Sequence, residues 1–296
     1  MRTNRFLVAF VTVVFLSAFV RADCDSHRDH RSSKTAGLLI TDFVITGTQT
    51  LSSVELAKIR SQMMGSCFDE DSEELGERVR ALFQDRGYFA AVVQSVRVRP
   101  GDPLVTPKPT TLEADVVEGQ RFKLKEVKFV GNHVFSETRL RSEFPLRKGD
   151  LFERDKIAGG LESVSKLYGS AGFLDFVAIP ETQMSDATIV LSLSVTEGTQ
   201  YRMGKLEVFA KKEIADRLEE EWRLPEGAIF DATYVDKYIN EDRSLLPRGF
   251  TREDVQVVRN CPEGSAEVRL VLDLTIPASQ SRPKDVECEA APGTSK

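Results

Sequence analysis

Glu118-Gly119-Gln120-Arg121-Phe122-Lys123-Leu124 returns 79 residues later as Glu197-Gly198-Thr199-Gln200-Tyr201-Arg202-Met203, each time between two alternating apolar runs. A fixed self-similar step of this size marks a tandem array of small domains, which must be read before any single-domain fold is considered. Other landmarks keep the step. Gly47, Gly131 and Ala210 are spaced by 84 and 79 residues, and Gly87-Tyr88, Gly172-Phe173 and Gly249-Phe250 by 85 and 77. Three units follow, 38–119, 120–198 and 199–277.

Each unit has one internal grammar. A half-buried strand comes first, carried by Phe43 and Ile45, by Val127 and Phe129, or by Leu206 and Val208, because apolar residues alternating with polar ones face one side of a strand. The period then turns helical. Ser52 with Glu55 three residues on reads as a capping box, and Ser136 takes the capping place in the second unit. A second helix puts Leu75, Val79, Leu82 and Phe83 on one face, and Ile157, Leu161, Val164 and Tyr168 on another. Gly87, Gly172 and Gly249 stand where such helices end in the left-handed conformation that glycine tolerates. Two more strands close each unit. The first of these is expected over 89–99, 174–179 and 254–258, and Pro100 to Thr110 reads as an irregular loop in the first unit. The fold class is α+β, three tandem βααββ domains, each a three-stranded sheet covered by two helices.

The ends read differently. Residues 1–22 carry Arg2 and Arg5, an apolar run from Phe6 to Val20, then Val20-Arg21-Ala22, the pattern of a secretory signal peptide with Asp23 as the new N-terminus. The alternative is a retained inner-membrane anchor on a structural or division-type protein, although the run is short of the ~20 residues a span needs. Residues 23–37 and 278–296 read as polar tails. Cleavage removes three arginines and no acid, taking the formal charge from −6 to −9. That charge argues against nucleic acid, whose phosphates require a dense basic surface.

No catalytic constellation assembles. Of the three histidines only His133 lies in a repeat, and neither a Ser-His-acid nor a Cys-His arrangement can be built. Glu118 and Glu197 resemble a carboxylate pair, but each follows a strand at a unit boundary, where a hinge or capping contact is the natural role. Cys24, His27 and His30 lie in a polar stretch with no fourth ligand, so neither a metal nor a cofactor is expected. Glu219-Glu220-Glu221 reads as a solvated helical face. Four cysteines allow three full pairings. Cys261 and Cys288, in exposed places, form the expected disulfide, and Cys67, aligned with Leu151 and Ile229, is expected to stay reduced as a core side chain.

The order strand, helix, helix, strand, strand, with Phe129-Val130-Gly131-Asn132, Ser136, Tyr168, Gly172-Phe173 and Val195-Thr196-Glu197-Gly198, resembles the polypeptide-transport-associated (POTRA) domain. The first unit departs with Thr48 in place of the asparagine, and the third with Ala210 for the glycine and no closing Glu-Gly. The resemblance implies a periplasmic array of the kind that precedes outer-membrane assembly and translocation barrels. Only 19 residues follow Pro277, so the expectation is an array without the barrel, a non-catalytic scaffold or accessory. Scant linkers at 119–124 and 198–206 suggest a stiff, slightly bent rod.

The resemblance also places the penultimate strand of each sheet on an edge, open to a foreign strand. Its longest example gives the candidate partner-binding residues Ala91, Val92, Val93, Gln94, Val96 and Val98, with Phe176 in the second unit. Weak preference is expected from pockets beside Val92 and Val96, and proline at Val93 is expected to act differently from proline at Gln94. The implied partners are unfolded outer-membrane polypeptides or assembly components, met in the periplasm, with membrane contact only through those partners.

Overall fold

A computed structural model describes residues 38–275, apart from 69–71, 103, 106, 107, 242, 243, 249 and 261–265. The expected signal peptide and tails, with Cys24, His27, His30, Gly249, Cys261 and Cys288, therefore lie outside the described residues. In chain order the elements are β1 (Leu38–Thr46), α1 (Ser53–Met63), β2 (Cys67–Phe68), α2 (Ser72–Gln84), β3 (Val92–Pro100) and β4 (Lys108–Val117). Then come β5 (Lys123–Val130), α3 (Glu137–Arg141), α4 (Arg154–Ser170), β6 (Val177–Ser185) and β7 (Thr188–Thr196). The last group is β8 (Arg202–Phe209), α5 (Lys212–Glu221), α6 (Ala232–Glu241), a short 3₁₀ turn, β9 (Val255–Asn260) and β10 (Glu267–Asp273).

The sheets have strand orders β2-β1-β4-β3, β5-β7-β6 and β8-β10-β9. In the first and last, the opening strand runs parallel to the closing one, and the penultimate strand pairs antiparallel with it. A parallel pair needs a long crossover, and the two intervening helices supply it. The penultimate strand is thereby left on an edge. The first sheet has an addition that the repeat did not announce, the two-residue β2 against Leu38 and Leu39 of β1.

By contacts the chain divides into two compact units, one holding the first repeat with Phe144–Gly159 and Pro180–Ser192, the other Phe129–Glu143, Gly160–Ile179 and the residues from Leu193 onward. In the former, Leu38, Ile40 and Phe43 of β1, Ile59 of α1, Leu75, Val79 and Phe83 of α2 and Leu112 and Val116 of β4 make one core. A bulge between Ile40 and Asp42 explains why the buried positions step from 40 to 43. In the latter, Tyr201, Met203, Leu218, Phe230, Tyr238, Val268 and Leu270 make another. The expected caps are present: Ser52 and Glu55 form a full capping box, and the Ser136 hydroxyl accepts from the Arg139 N–H.

The repeated phrase is where one repeat passes into the next. The Phe122 N–H donates to the Gly87 carbonyl at 2.9 Å, and the Phe152 N–H to the Phe122 carbonyl at 2.9 Å. At the next boundary Tyr201 donates to Gly172 at 2.8 Å and Phe230 to Tyr201 at 3.0 Å. Gly87 and Gly172, at φ +83° and +86°, are thus helix caps and backbone acceptors for the following repeat. A side chain at Gly172 would also collide with the Tyr201 carbonyl, 2.7 Å from an ideal Cβ. Side chains complete each boundary in their own way. Arg121 pairs with Glu55 and lies 4.8 Å from the Tyr88 ring centroid. The Tyr201 hydroxyl donates to Asp175 at 2.7 Å, its own proton held by burial and that carboxylate up to about 12. Burial pushes the Asp85 carboxyl up to about 6 despite the Arg154 guanidinium 3.8 Å away.

One expectation is overturned here. Cys67 is not a reduced core side chain; it is half-buried and disulfide-bonded. It sits in β2 at the border of the sheet. Should Cys261 pair with Cys288, as the sequence leads one to expect, Cys24 would be the remaining partner for Cys67. Peptide mapping without reductant is expected to recover a Cys24–Cys67 crosslink, and a peptide joining Cys67 to Cys261 or Cys288 would overturn both pairings.

Candidate functional site: an open strand edge beside a helix

Among the described residues, strand β3 has β4 on one side and no strand on the other, so every second backbone N–H and C=O along it faces outward. Between this edge and α2 runs a groove of about 310 Å³. Helix α2 contributes Glu73, Gly76, Glu77 and Arg80, and the chain from Ala91 to Val96 forms the other wall. The Arg80 and Glu77 side chains pair at 2.5 Å, while the Arg80 Nε, sheltered from solvent, has no acceptor.

The strand differs from the simple alternation expected of it. It begins at Val92, not at Phe89, because Phe89 and Ala91 are buried in the turn that leads into it. Gln94 is a bulge: Val93 pairs with Val116 and Ser95 with Asp115, leaving Gln94 without a partner residue. An extra residue reverses the side-chain alternation that follows it. Val93, Val96 and Val98 consequently pack on the core, whereas Val92 is 55% exposed opposite Val117. Val92 and Val96 do not share a face, which corrects the expected pair of pockets, and the proline comparison at Val93 and Gln94 loses its basis. The expected irregular loop is also shorter, since Pro100 ends β3 and Lys108 already begins β4.

Of the candidate residues, Ala91, Val92, Val93, Gln94 and Val96 border the groove. Val98 lies further along β3 with its side chain against the core. Phe176 is elsewhere: its ring stacks on Tyr168 with centroids 4.1 Å apart. The penultimate-strand edges of the other two sheets differ. Pro180 stands in the middle of β6, and proline supplies no N–H to an incoming strand. In β9, Arg259 is engaged by Asp175 at 3.4 Å.

Glu118 and Glu197 form no acid/base pair. The Glu118 Oε1 accepts from the Gln49 and Thr50 N–H groups, both at 2.6 Å, and from the Thr50 hydroxyl at 3.0 Å. The Glu197 Oε1 accepts from the His133 and Val134 N–H groups at 2.8 and 2.9 Å and from the Tyr168 hydroxyl at 2.8 Å. Burial raises both carboxyls, but these donors outweigh it and hold them below the usual range. Each ties the closing strand of its repeat to the loop after the opening strand. Among the described residues no cluster of three His, Cys, Asp or Glu could hold a metal.

Residues 122–198 match the POTRA family, described as a surface antigen variable number repeat. The crystal structure of POTRA3–5 of Haemophilus influenzae BamA aligns over 80% of this chain and 96% of its own, with a TM-score of 0.59 and 19% identity. The fold of this chain is similar to that tandem POTRA array, and its middle repeat matches the family itself. Two curated relatives are named outer membrane protein assembly factor BamA. That of Neisseria meningitidis is 27% identical over 123 residues, 35% of this chain and 15% of the relative. That of Nitratidesulfovibrio vulgaris is 25% identical over 185 residues, 56% of this chain and 22% of the relative. The chain thus spans about a fifth of the length of these relatives. Among the described residues no helix is long and apolar enough to cross a membrane.

Proposed function

We propose that this chain is a non-catalytic periplasmic scaffold for outer-membrane protein assembly, and that it holds extended polypeptide by adding a strand to β3. The POTRA fold and the BamA relatives support the setting. The observation that carries the binding mode is the unpaired β3 edge with a groove alongside it. Main-chain hydrogen bonds would give affinity with little sequence dependence, and the groove would supply what preference there is. The clients are unfolded outer-membrane polypeptides or assembly partners.

The regular half of β3 offers the cleanest test, because beyond the bulge Arg97 pairs with Glu113 and Val98 with Leu112. Of two adjacent N–H groups one belongs to the ladder and the other to the free edge. Arg97→Pro and Val98→Pro are therefore expected to separate. One lowers the melting temperature. The other melts like the parent yet binds a peptide copied from an outer-membrane barrel strand about tenfold more weakly, equivalent to ~1.4 kcal/mol. If both variants stay folded and neither changes binding, strand addition at β3 is wrong.

A further inference from the structure

Resting on that reading of β3, we propose that the groove beside it is a socket for one aromatic side chain of the bound segment. The argument comes from comparing two repeats of the same chain. The step of 85 residues between Gly87 and Gly172 carries Phe83 onto Tyr168, Gly76 onto Leu161 and Ala91 onto Phe176. In the middle repeat Phe176 lays its ring flat on Tyr168, at an interplanar angle of 14°. That repeat covers its second helix with an aromatic ring of its own.

The first repeat has lost both bulky groups. Ala91 replaces the ring, and Gly76 replaces the leucine in the interior of α2, where glycine is a poor helix former. An ideal Cβ built at Gly76 would meet no atom closer than the Val96 Cγ2 at 3.8 Å. Open space thus lies beside Gly76 and Ala91 in the first repeat. Its volume, at the small end of ligand pockets, fits a side chain and not a second helix. Arg80 at its rim brings a guanidinium, which favours the face of a ring over an aliphatic group of similar size, and its sheltered Nε lacks an acceptor that a strand carbonyl would provide.

The probes are extended host peptides of alternating threonine and valine that differ only in one central residue, Phe, Leu or Ala. The mature protein is expected to bind the Phe peptide at least tenfold more tightly than the Ala peptide, with Leu between. Gly76→Leu, which closes the notch with a better helix former, is expected to lose the Phe preference while keeping the weaker binding of the Ala peptide and a melting temperature no lower than the parent's. Ala91→Phe, which supplies the ring internally, is expected to do the same. Retention of the preference in a folded Gly76→Leu protein overturns the socket and leaves strand addition standing. Absence of binding by all three peptides overturns strand addition itself, and the socket with it.

Discussion

Gly131→Ala is expected to unfold the middle repeat at temperatures where the parent is native. Gly131 closes β5 at φ +90°, a conformation that costs an L residue about 1 kcal/mol or more. The larger effect is steric. An ideal Cβ there lies 2.3 Å from the Val195 carbonyl oxygen, and that oxygen belongs to β7, which has no slack to retreat. The second and third residues on, His133 and Val134, give their N–H groups to Glu197, so moving the turn also spoils that contact. The combined cost is about 3–5 kcal/mol, in the range reserved for strain and overpacking in a folded core. Gly47→Ala meets Asp115 Oδ1 at 2.4 Å and the Val116 carbonyl at 2.8 Å, and should be nearly as damaging. The third repeat supplies the control. Ala210 stands at the corresponding place, and it is not among the residues with positive φ, so Ala210→Gly should cost only the ~0.5–1 kcal/mol of added unfolded-chain freedom. Thermal melts of the three variants decide the matter, and a Gly131→Ala protein that melts within a few degrees of the parent would sink the argument.

Much of this architecture is legible in the sequence because the repeats use the same residue types for the same backbone tasks. Glu118 and Glu197 recur since each has loop N–H groups to satisfy, and Gly47 and Gly131 recur since a carbonyl lies where a side chain would be. The helical faces are legible for the usual reason, that Leu75, Val79 and Phe83 must reach one core. What escaped the sequence depends on partners far along the chain. Nothing local in Ala91-Val92-Val93-Gln94-Ser95 tells that Gln94 is the extra residue, because a bulge is defined only by the pairing with β4. The β2 strand is two residues long and Cys67 within it takes its bonding from a distant thiol, so alignment with Leu151 and Ile229 misled. The acceptor role of Gly87 and Gly172 belongs to their carbonyls, which no residue name encodes. Within the candidate site, the location of the edge was readable and the inward direction of each side chain was not.

Replacing the Glu118 or Glu197 carboxylate should cost about 2–3 kcal/mol at neutral pH, since each removal takes the acceptor from two backbone N–H groups and a charged partner from a hydroxyl. The charge makes the effect depend on pH in a defined direction. Both carboxyls titrate below their ordinary range in the folded chain, so the folded state binds protons less readily than the unfolded one. Their stabilisation is therefore complete above the unfolded value, near 4.3, and is lost as the pH falls through the lower folded value. Glu197→Gln keeps an oxygen in place and removes the charge. It should cost less than Glu197→Ala at pH 7, about 1–2 kcal/mol, and should flatten the loss of stability between pH 5 and pH 3. Tyr168 separates the contributions. Its hydroxyl is buried and donates to Glu197, which holds its proton well above the ordinary tyrosine range. Tyr168→Phe leaves the His133 and Val134 donors on the carboxylate, so it should weaken the repeat by about 1 kcal/mol while keeping most of the acid dependence. Urea titrations of these variants at several pH values between 7 and 3 measure all of it. The same acid slope in Glu197→Gln and the parent would mean that the carboxylate is a neutral spacer, and that the recurring Glu-Gly owes its place to the glycine alone.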